Sequence, residues 1–231
     1  MRFSLLVLVL LLAGCSQLSA QLKLPFSGTD SGKQGNIEEQ IQAIVQQLQR
    51  EPDWLLPSSA CPGDVMPVAE EAVQHFAKDC ALNPIDCFKH CIDKNGSACY
   101  GLALFLQEQA IEAKSIEEKY VELLFGQACQ LGIVSGCTNR AAGMLALETN
   151  DEADLQCIAR TFEKTCAKAD PWGCTMYGTV LSQGIGCDRD LEKALKILPK
   201  ACNKYGQSDP ACQQAQQLRK KIYNLVNDVT P

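Results

Sequence analysis

Apolar positions along this chain recur at helical spacing. Ile37, Ile41, Ile44, Val45 and Leu48 fall on one face of a helix. Asn36 and Glu39 have capping-box spacing at its start, and Pro52 ends it. The stretch Glu51 to Gly63, with Pro52, Pro57 and Pro62, reads as a loop, so residues 37–64 form an amphipathic helix and loop. The pattern alone leaves open whether that helix docks on the body or takes a partner.

From residue 65 to residue 231 the pattern becomes periodic, and periods outrank local signals. Cys91, Cys129, Cys166 and Cys202 stand 38, 37 and 36 residues apart. Each is followed by a second cysteine, Cys99, Cys137, Cys174 and Cys212, and turn-forming residues lie between the two. Cys87, Phe125, Phe162 and Leu198 stand four residues before each first cysteine. Four residues after each second one stand Ala103, Ala141, Gly178 and Gln216, and seven after it Leu106, Met144, Leu181 and Arg219. A helix therefore ends at each first cysteine, the chain turns, and a new helix starts at the second. A small residue one turn into that helix admits a close neighbour, and the +7 side chain packs on the same face. The fourth unit breaks the rule with Gln216 and Arg219, and its helix from Gln213 to Val226 is rich in Gln, Lys and Arg. A terminal repeat needs such a polar outer face. Pro199 falls inside a predicted helix and should kink it or shift its start.

The N-terminus is different. Arg2 precedes an apolar run, Phe3 to Leu12, of ten residues. A bilayer span needs roughly 20, so the run reads as a secretory signal. Leu12-Ala13-Gly14-Cys15 resembles a bacterial lipoprotein lipobox. That resemblance implies a signal peptide over 1–14, cleavage before Cys15 and lipidation of its sulfur. Ser16, with no Asp in its place, implies sorting to the outer membrane. Residues 15–36, polar and Gly/Ser-rich, read as a flexible tether.

Composition narrows the classes. Net charge is −6 and the pI about 5.0, without a long basic block, so nucleic acid is not an expected partner. No internal segment is apolar enough to span a membrane, which leaves the lipid as the expected anchor. Cysteine reaches 14 residues. After an export signal that abundance points to disulfides rather than metal. Removing Cys15 leaves an odd number, so one cysteine stays free or pairs with another chain.

Two stretches carry a family likeness. Gln127-Ala128-Cys129 through Gly136-Cys137-Thr138-Asn139 resembles the junction of cysteine-rich Sel-1-like repeats. Tyr177-Gly178, Gln183-Gly184-Ile185-Gly186 and Asp190-Leu191-Glu192-Lys193-Ala194 resemble the family's turn and following helix start. Cys87, Cys91, Cys99 and Tyr100 look like the opening repeat of intermembrane-space members. The resemblance implies an all-α fold, an α/α superhelical solenoid of TPR-like helical hairpins stapled by disulfides. It implies the pairs Cys91–Cys99, Cys129–Cys137, Cys166–Cys174 and Cys202–Cys212. Each such loop contributes roughly 2.5 kcal/mol in the chain-entropy account. Of the other cysteines, Cys80–Cys87 would bridge the Asn83-Pro84 turn and Cys157–Cys187 would join neighbouring repeats, leaving Cys61 free. A buried free thiol at Cys87 is the alternative. Cys87, His90, Cys91 and His75 suggest a zinc site only weakly, and no metal or other cofactor is expected.

The family mostly mediates protein–protein contact. The expected function is an exported, lipid-anchored scaffold that holds an envelope protein or peptide, with Tyr100, Asn139, Arg140 and Tyr177 as the candidate binding surface. Some exported relatives bind penicillin or hydrolyse β-lactams weakly, so a β-lactam or a peptidoglycan fragment is the alternative ligand. The sequence holds no Ser-x-x-Lys, Gly-x-Ser-x-Gly or His-Glu-x-x-His motif to support a hydrolase. It holds two histidines and no Cys-x-x-Cys, and no catalytic residue is assigned.

Overall fold

A computed structural model describes residues 31–50, 60–68, 76–113, 118–147 and 150–227. Its helices are α1 (Ser31–Arg50), α2 (Pro62–Val65, a single turn), α3 (Phe76–Leu82), α4 (Pro84–Ile92), α5 (Gly96–Ala113) and α6 (Glu118–Gln130). They continue as α7 (Val134–Ala146), α8 (Glu152–Ala167), α9 (Pro171–Gln183), α10 (Leu191–Ile197) and α11 (Pro210–Asn227). A 3-10 turn covers Leu198–Cys202. No strand occurs among the described residues. Each helix from α3 to α10 packs on its chain neighbour, α9 also touches α7 and α11, and α1 lies against α4.

The residues that recur in the sequence supply the core. Phe125, Phe162 and Leu198, each four residues before a first cysteine, are fully buried, and so are Ala103 and Ala141. The requirement for a small residue is sharpest at Gly178, where an added Cβ would stand 2.4 Å from Leu198 Cδ2. No side chain fits there without displacing the adjacent repeat.

One junction geometry recurs. Three residues after each of the first three first cysteines, and four after the last, the backbone turns left-handed: Lys94 (φ 64°), Gly132 (φ 97°), Ala169 (φ 59°) and Gly206 (φ 80°). The next amide then donates back five residues, Asn95 N–H to His90 O, Ile133 N–H to Ala128 O and Asp170 N–H to Thr165 O, at 3.0, 3.0 and 3.1 Å. This is the Schellman closure of a helix C-terminus. It delivers the second cysteine one helical turn later, facing the first. Cα separations in those four pairs are 4.6, 4.5, 4.3 and 4.6 Å, all at disulfide distance.

Two further pairs stand at that distance. Cys80 and Cys87 close across the α3–α4 turn, with Cα atoms 5.4 Å apart. The other is Cys61 with Cys157, at 5.8 Å, which corrects the expected Cys157–Cys187 pair and the expectation of a free Cys61. Cys187 is unpaired. The reason is helical phase. On α8, Cys157 shares a face with Thr161 and Lys164, where Gly63 N–H donates to Thr161 Oγ1 at 2.9 Å. The turn carrying Cys187 packs on another side, where a Cβ on Gly186 would meet Leu155 O at 1.9 Å. Residues 60–68 thus run over α8 as a strap, held also by Arg160 on Asp64 (3.2 Å) and Lys168 Nζ on Val68 O (2.9 Å).

Two helix boundaries differ from expectation. α1 begins at Ser31, inside the expected tether, because extending a helix adds a backbone bond per residue once it is nucleated, and Lys33 and Gln34 are good helix formers. Pro199 shifts the structure rather than kinking it, and α10 gives way to the 3-10 turn at Leu198. The lipobox with Cys15 and most of the tether lie outside the described residues.

The equivalent turn positions predict opposite signs. Ala169→Gly removes the left-handed strain of an exposed Cβ and should raise stability by about 0.5–1 kcal/mol. Gly132→Ala should lower it by about 1–2 kcal/mol. Thermal midpoints of the two variants against wild type check this. A fall for Ala169→Gly would contradict the junction geometry.

Candidate functional site

The site grows out of the junctions. Helices that begin after a cysteine turn have free N–H groups that a side chain can satisfy, and three of the four are capped so, while α7 starts from Ile133 without a side-chain cap. Asn95 accepts from Ala98 N–H at 2.9 Å, Asp170 from Gly173 N–H at 2.7 Å, and Asp209 from Ala211 N–H at 3.0 Å. Asp170 does more than cap α9. It is 5 % exposed, and Ser135 Oγ (2.7 Å) and Thr138 Oγ1 (2.9 Å) of α7 also donate to it. Three donors converge on one buried carboxylate, the condition for burying such a charge.

The residue after each of the first three second cysteines carries this seam from one repeat to the next. Tyr100 bonds the side chains of Ser135 and Asn139, and its ring packs on Phe125 with centroids 5.8 Å apart. Thr138 donates to Asp170, and Thr175 Oγ1 to Ala211 O at 2.9 Å. Burial, followed by the negative charge of Asp170, pushes the Tyr100 hydroxyl up to about 12. It therefore stays protonated and serves as a fixed hydrogen-bonding group at the inner end of the seam.

A second cluster surrounds Tyr177. Its hydroxyl bonds the Glu163 carboxylate, Lys193 Nζ reaches the same carboxylate at 3.3 Å, and the ammonium lies 5.1 Å from the Tyr177 ring centroid. The Tyr177 hydrogen bond, then Lys193, lowers the Glu163 pKa against its partial burial. Burial first, then Glu163, raises that of Tyr177, and the Tyr177 hydrogen bond raises that of Lys193. Burial also raises the nearby Cys187 thiol, with Lys193 opposing it. Every shift deepens the protonation state each group already has at neutral pH. The cluster is a structural clamp, and Cys187 is a muted thiol.

The four residues expected to bind a partner are therefore distributed. Tyr100 and Asn139 come together at the seam. Tyr177 is 5 % exposed and lies inside the clamp. Arg140 pairs with Glu122 at 3.3 Å, their side chains 14 % and 20 % exposed. Arg140 and Tyr177 both stand three residues after a second cysteine, one turn before the apolar +7 position, so they share its inward face. Ser135, Thr138, Asp170, Glu163 and Lys193 are the partners that the sequence reading missed. The hydroxyl that follows a second cysteine in Tyr100, Thr138 and Thr175 is the signal that points to the seam. Cys87 and Cys91 face Cys80 and Cys99 rather than a common metal site, and His75 lies outside the described residues. No family model, curated protein or solved structure matches the chain.

Two outcomes test the seam. Thr138→Val removes one donor from the buried carboxylate while keeping side-chain shape, and should cost about 1–3 kcal/mol by denaturant unfolding. Alkaline pH is the second probe. The folded Tyr100 pKa lies above its unfolded value, so its contribution is intact below pH 10 and is lost as pH rises towards about 12. Tyrosinate absorbance of Tyr100→Phe should lack the last step of the wild-type titration.

Proposed function

We propose that this chain is an exported, lipid-anchored scaffold of the cysteine-rich Sel-1-like type, holding a second envelope protein or peptide. The observation that carries the reading is the recurrence of one junction: a left-handed turn and a cysteine pair at disulfide distance at all four, with a side-chain cap at three of them, Asn95, Asp170 and Asp209. Repetition of this kind stiffens helical hairpins into a solenoid, and the sulfur pairs act as its staples in an oxidising compartment. The lipobox-like Leu12-Ala13-Gly14-Cys15 supplies the anchor, and the outer membrane is the expected location.

The partner-facing edge is the half-buried Asn139 with the rim of the Tyr100 ring, whose hydroxyl is turned inward onto Ser135 and Asn139. An ordered phenol beside an amide, on a stiff backbone, recognises peptide groups at small entropic cost. A β-lactam or peptidoglycan fragment rests on family likeness alone.

Two measurements test the reading. Radiolabelled palmitate should enter the wild-type chain in a bacterial host and not Cys15→Ala. Crosslinking in intact envelopes should recover one discrete protein with wild type, reduced at least tenfold by Asn139→Lys at unchanged thermal midpoint. Equal recovery with both forms, or no protein above background, would sink the scaffold.

A further inference from the structure

The final unit carries a charge opposite to that of the rest. Residues 191–227 hold seven lysine and arginine residues against two acidic ones, in a chain of net charge −6. Lys193, Lys196, Lys200, Lys204, Lys220 and Lys221 are all exposed. Large apolar side chains accompany them: Tyr205 is 61 %, Leu225 55 %, Tyr223 43 % and Val226 42 % exposed. Solubility alone explains lysines at a terminal repeat. It does not explain tyrosine and aliphatic side chains among them.

A cavity of about 210 Å³ opens in the same unit between the 3-10 turn and α11, with Leu198 and Pro199 on one side and Gln207, Gln216 and Arg219 on the other. Arg219 Nη2 donates to Tyr223 Oη at 3.2 Å. Its Nε is buried without a hydrogen-bond partner, and an unmet charged donor is costly to leave so. The cavity is smaller than the roughly 300–1,000 Å³ pockets that enclose drug-sized molecules. Its size suits a compact anion, and a guanidinium is the side chain that grips one by two parallel bonds.

We propose that this cavity takes the phosphate of an anionic phospholipid headgroup, with the surrounding lysines and the exposed Tyr205, Tyr223, Leu225 and Val226 seating the unit on the lipid surface. Cations with interfacial tyrosine and aliphatic groups match a charged headgroup layer over acyl chains. The inference rests on the membrane-tethered reading for its setting. Its chemistry is independent of the tether, since the acidic remainder of the chain is repelled by the same surface.

The test uses the unlipidated chain from Ser16 to Pro231, oxidised, with vesicles of phosphatidylethanolamine and phosphatidylglycerol against phosphatidylcholine alone. Cosedimentation should occur with the anionic vesicles, vanish in high salt, and weaken about thirtyfold in K220Q/K221Q. Removing the same charge with K89Q/K119Q should have little effect. Arg219→Lys keeps the charge but removes the Nε donor, and should weaken binding at least tenfold at unchanged thermal midpoint. Equal binding to neutral vesicles, or no binding, overturns the proposal, as does full binding by Arg219→Lys. Sedimentation showing the basic unit engaged on the acidic body of a second copy overturns it as well. Palmitate labelling of the full chain is unaffected by these outcomes, so loss of the lipid site leaves the tether standing.

Discussion

Everything in this protein depends on how one helix is turned into the next. A single hairpin of two short helices buries too little surface to hold its own angle, and the described residues hold no sheet to impose one. The junction has to be fixed locally. It is fixed by a left-handed residue that closes the helix end, by two sulfurs brought face to face, and, at every junction but the one before α7, by a polar side chain that opens the following helix. Each device acts within about a dozen residues, so each forms at small loop-closure cost. Where the left-handed residue is Lys94 or Ala169 rather than glycine, the strain is carried by the other two.

Local devices set angles but do not hold repeats together over distance. That task falls to three kinds of contact. Apolar side chains four residues before each first cysteine fill the spaces between hairpins. The Tyr100–Ser135–Thr138–Asp170 seam ties the opening of one repeat to the opening of the next. The strap at residues 60–68, paired through Cys61 and Cys157 across 96 residues, joins the start of the body to its middle. The strap closes by far the longest loop of the six pairs, so it constrains the unfolded chain most in the entropy account. Its side-chain contacts with α8, by contrast, are largely exposed and contribute little each.

This division explains which features were legible in the sequence. The buried residues before the junction cysteines, the small residues after them and the polar last helix follow from spacing, because each is set within one repeat, and the four junction pairs follow from the family resemblance of the same stretches. Cys61 was misassigned because a pair across 96 residues leaves no period to read, and Cys187 is the nearer candidate by sequence. The choice is made by helical phase on α8, which only the packed structure specifies. The seam was half legible: Tyr100 and Asn139 were singled out, but Asp170 reads in sequence as an ordinary helix cap. Its further donors come from another repeat. Arg140 and Tyr177 look like surface chemistry in sequence, yet their position one turn before a packing residue commits them to the inward face.

The same logic bears on how such a chain meets a partner. Its polar inner groups are already engaged: Asp170 holds three donors, Glu163 holds Tyr177 and Lys193, and Arg140 holds Glu122. A ligand that displaced any of them would leave a charge without its partner, at a cost near that of the bond it gained. Recognition is therefore favoured where a polar group is ordered yet not fully used. Three places meet that condition: the half-buried Asn139 beside Tyr100, the Nε of Arg140, and the Arg219 cavity at the basic end. The Tyr100–Asn139 edge spans the first two units and the Arg219 cavity lies in the last, with the Tyr177 clamp between them. In the proposed reading the basic end meets a lipid surface while the edge at Asn139, in a different unit, is left for a second molecule.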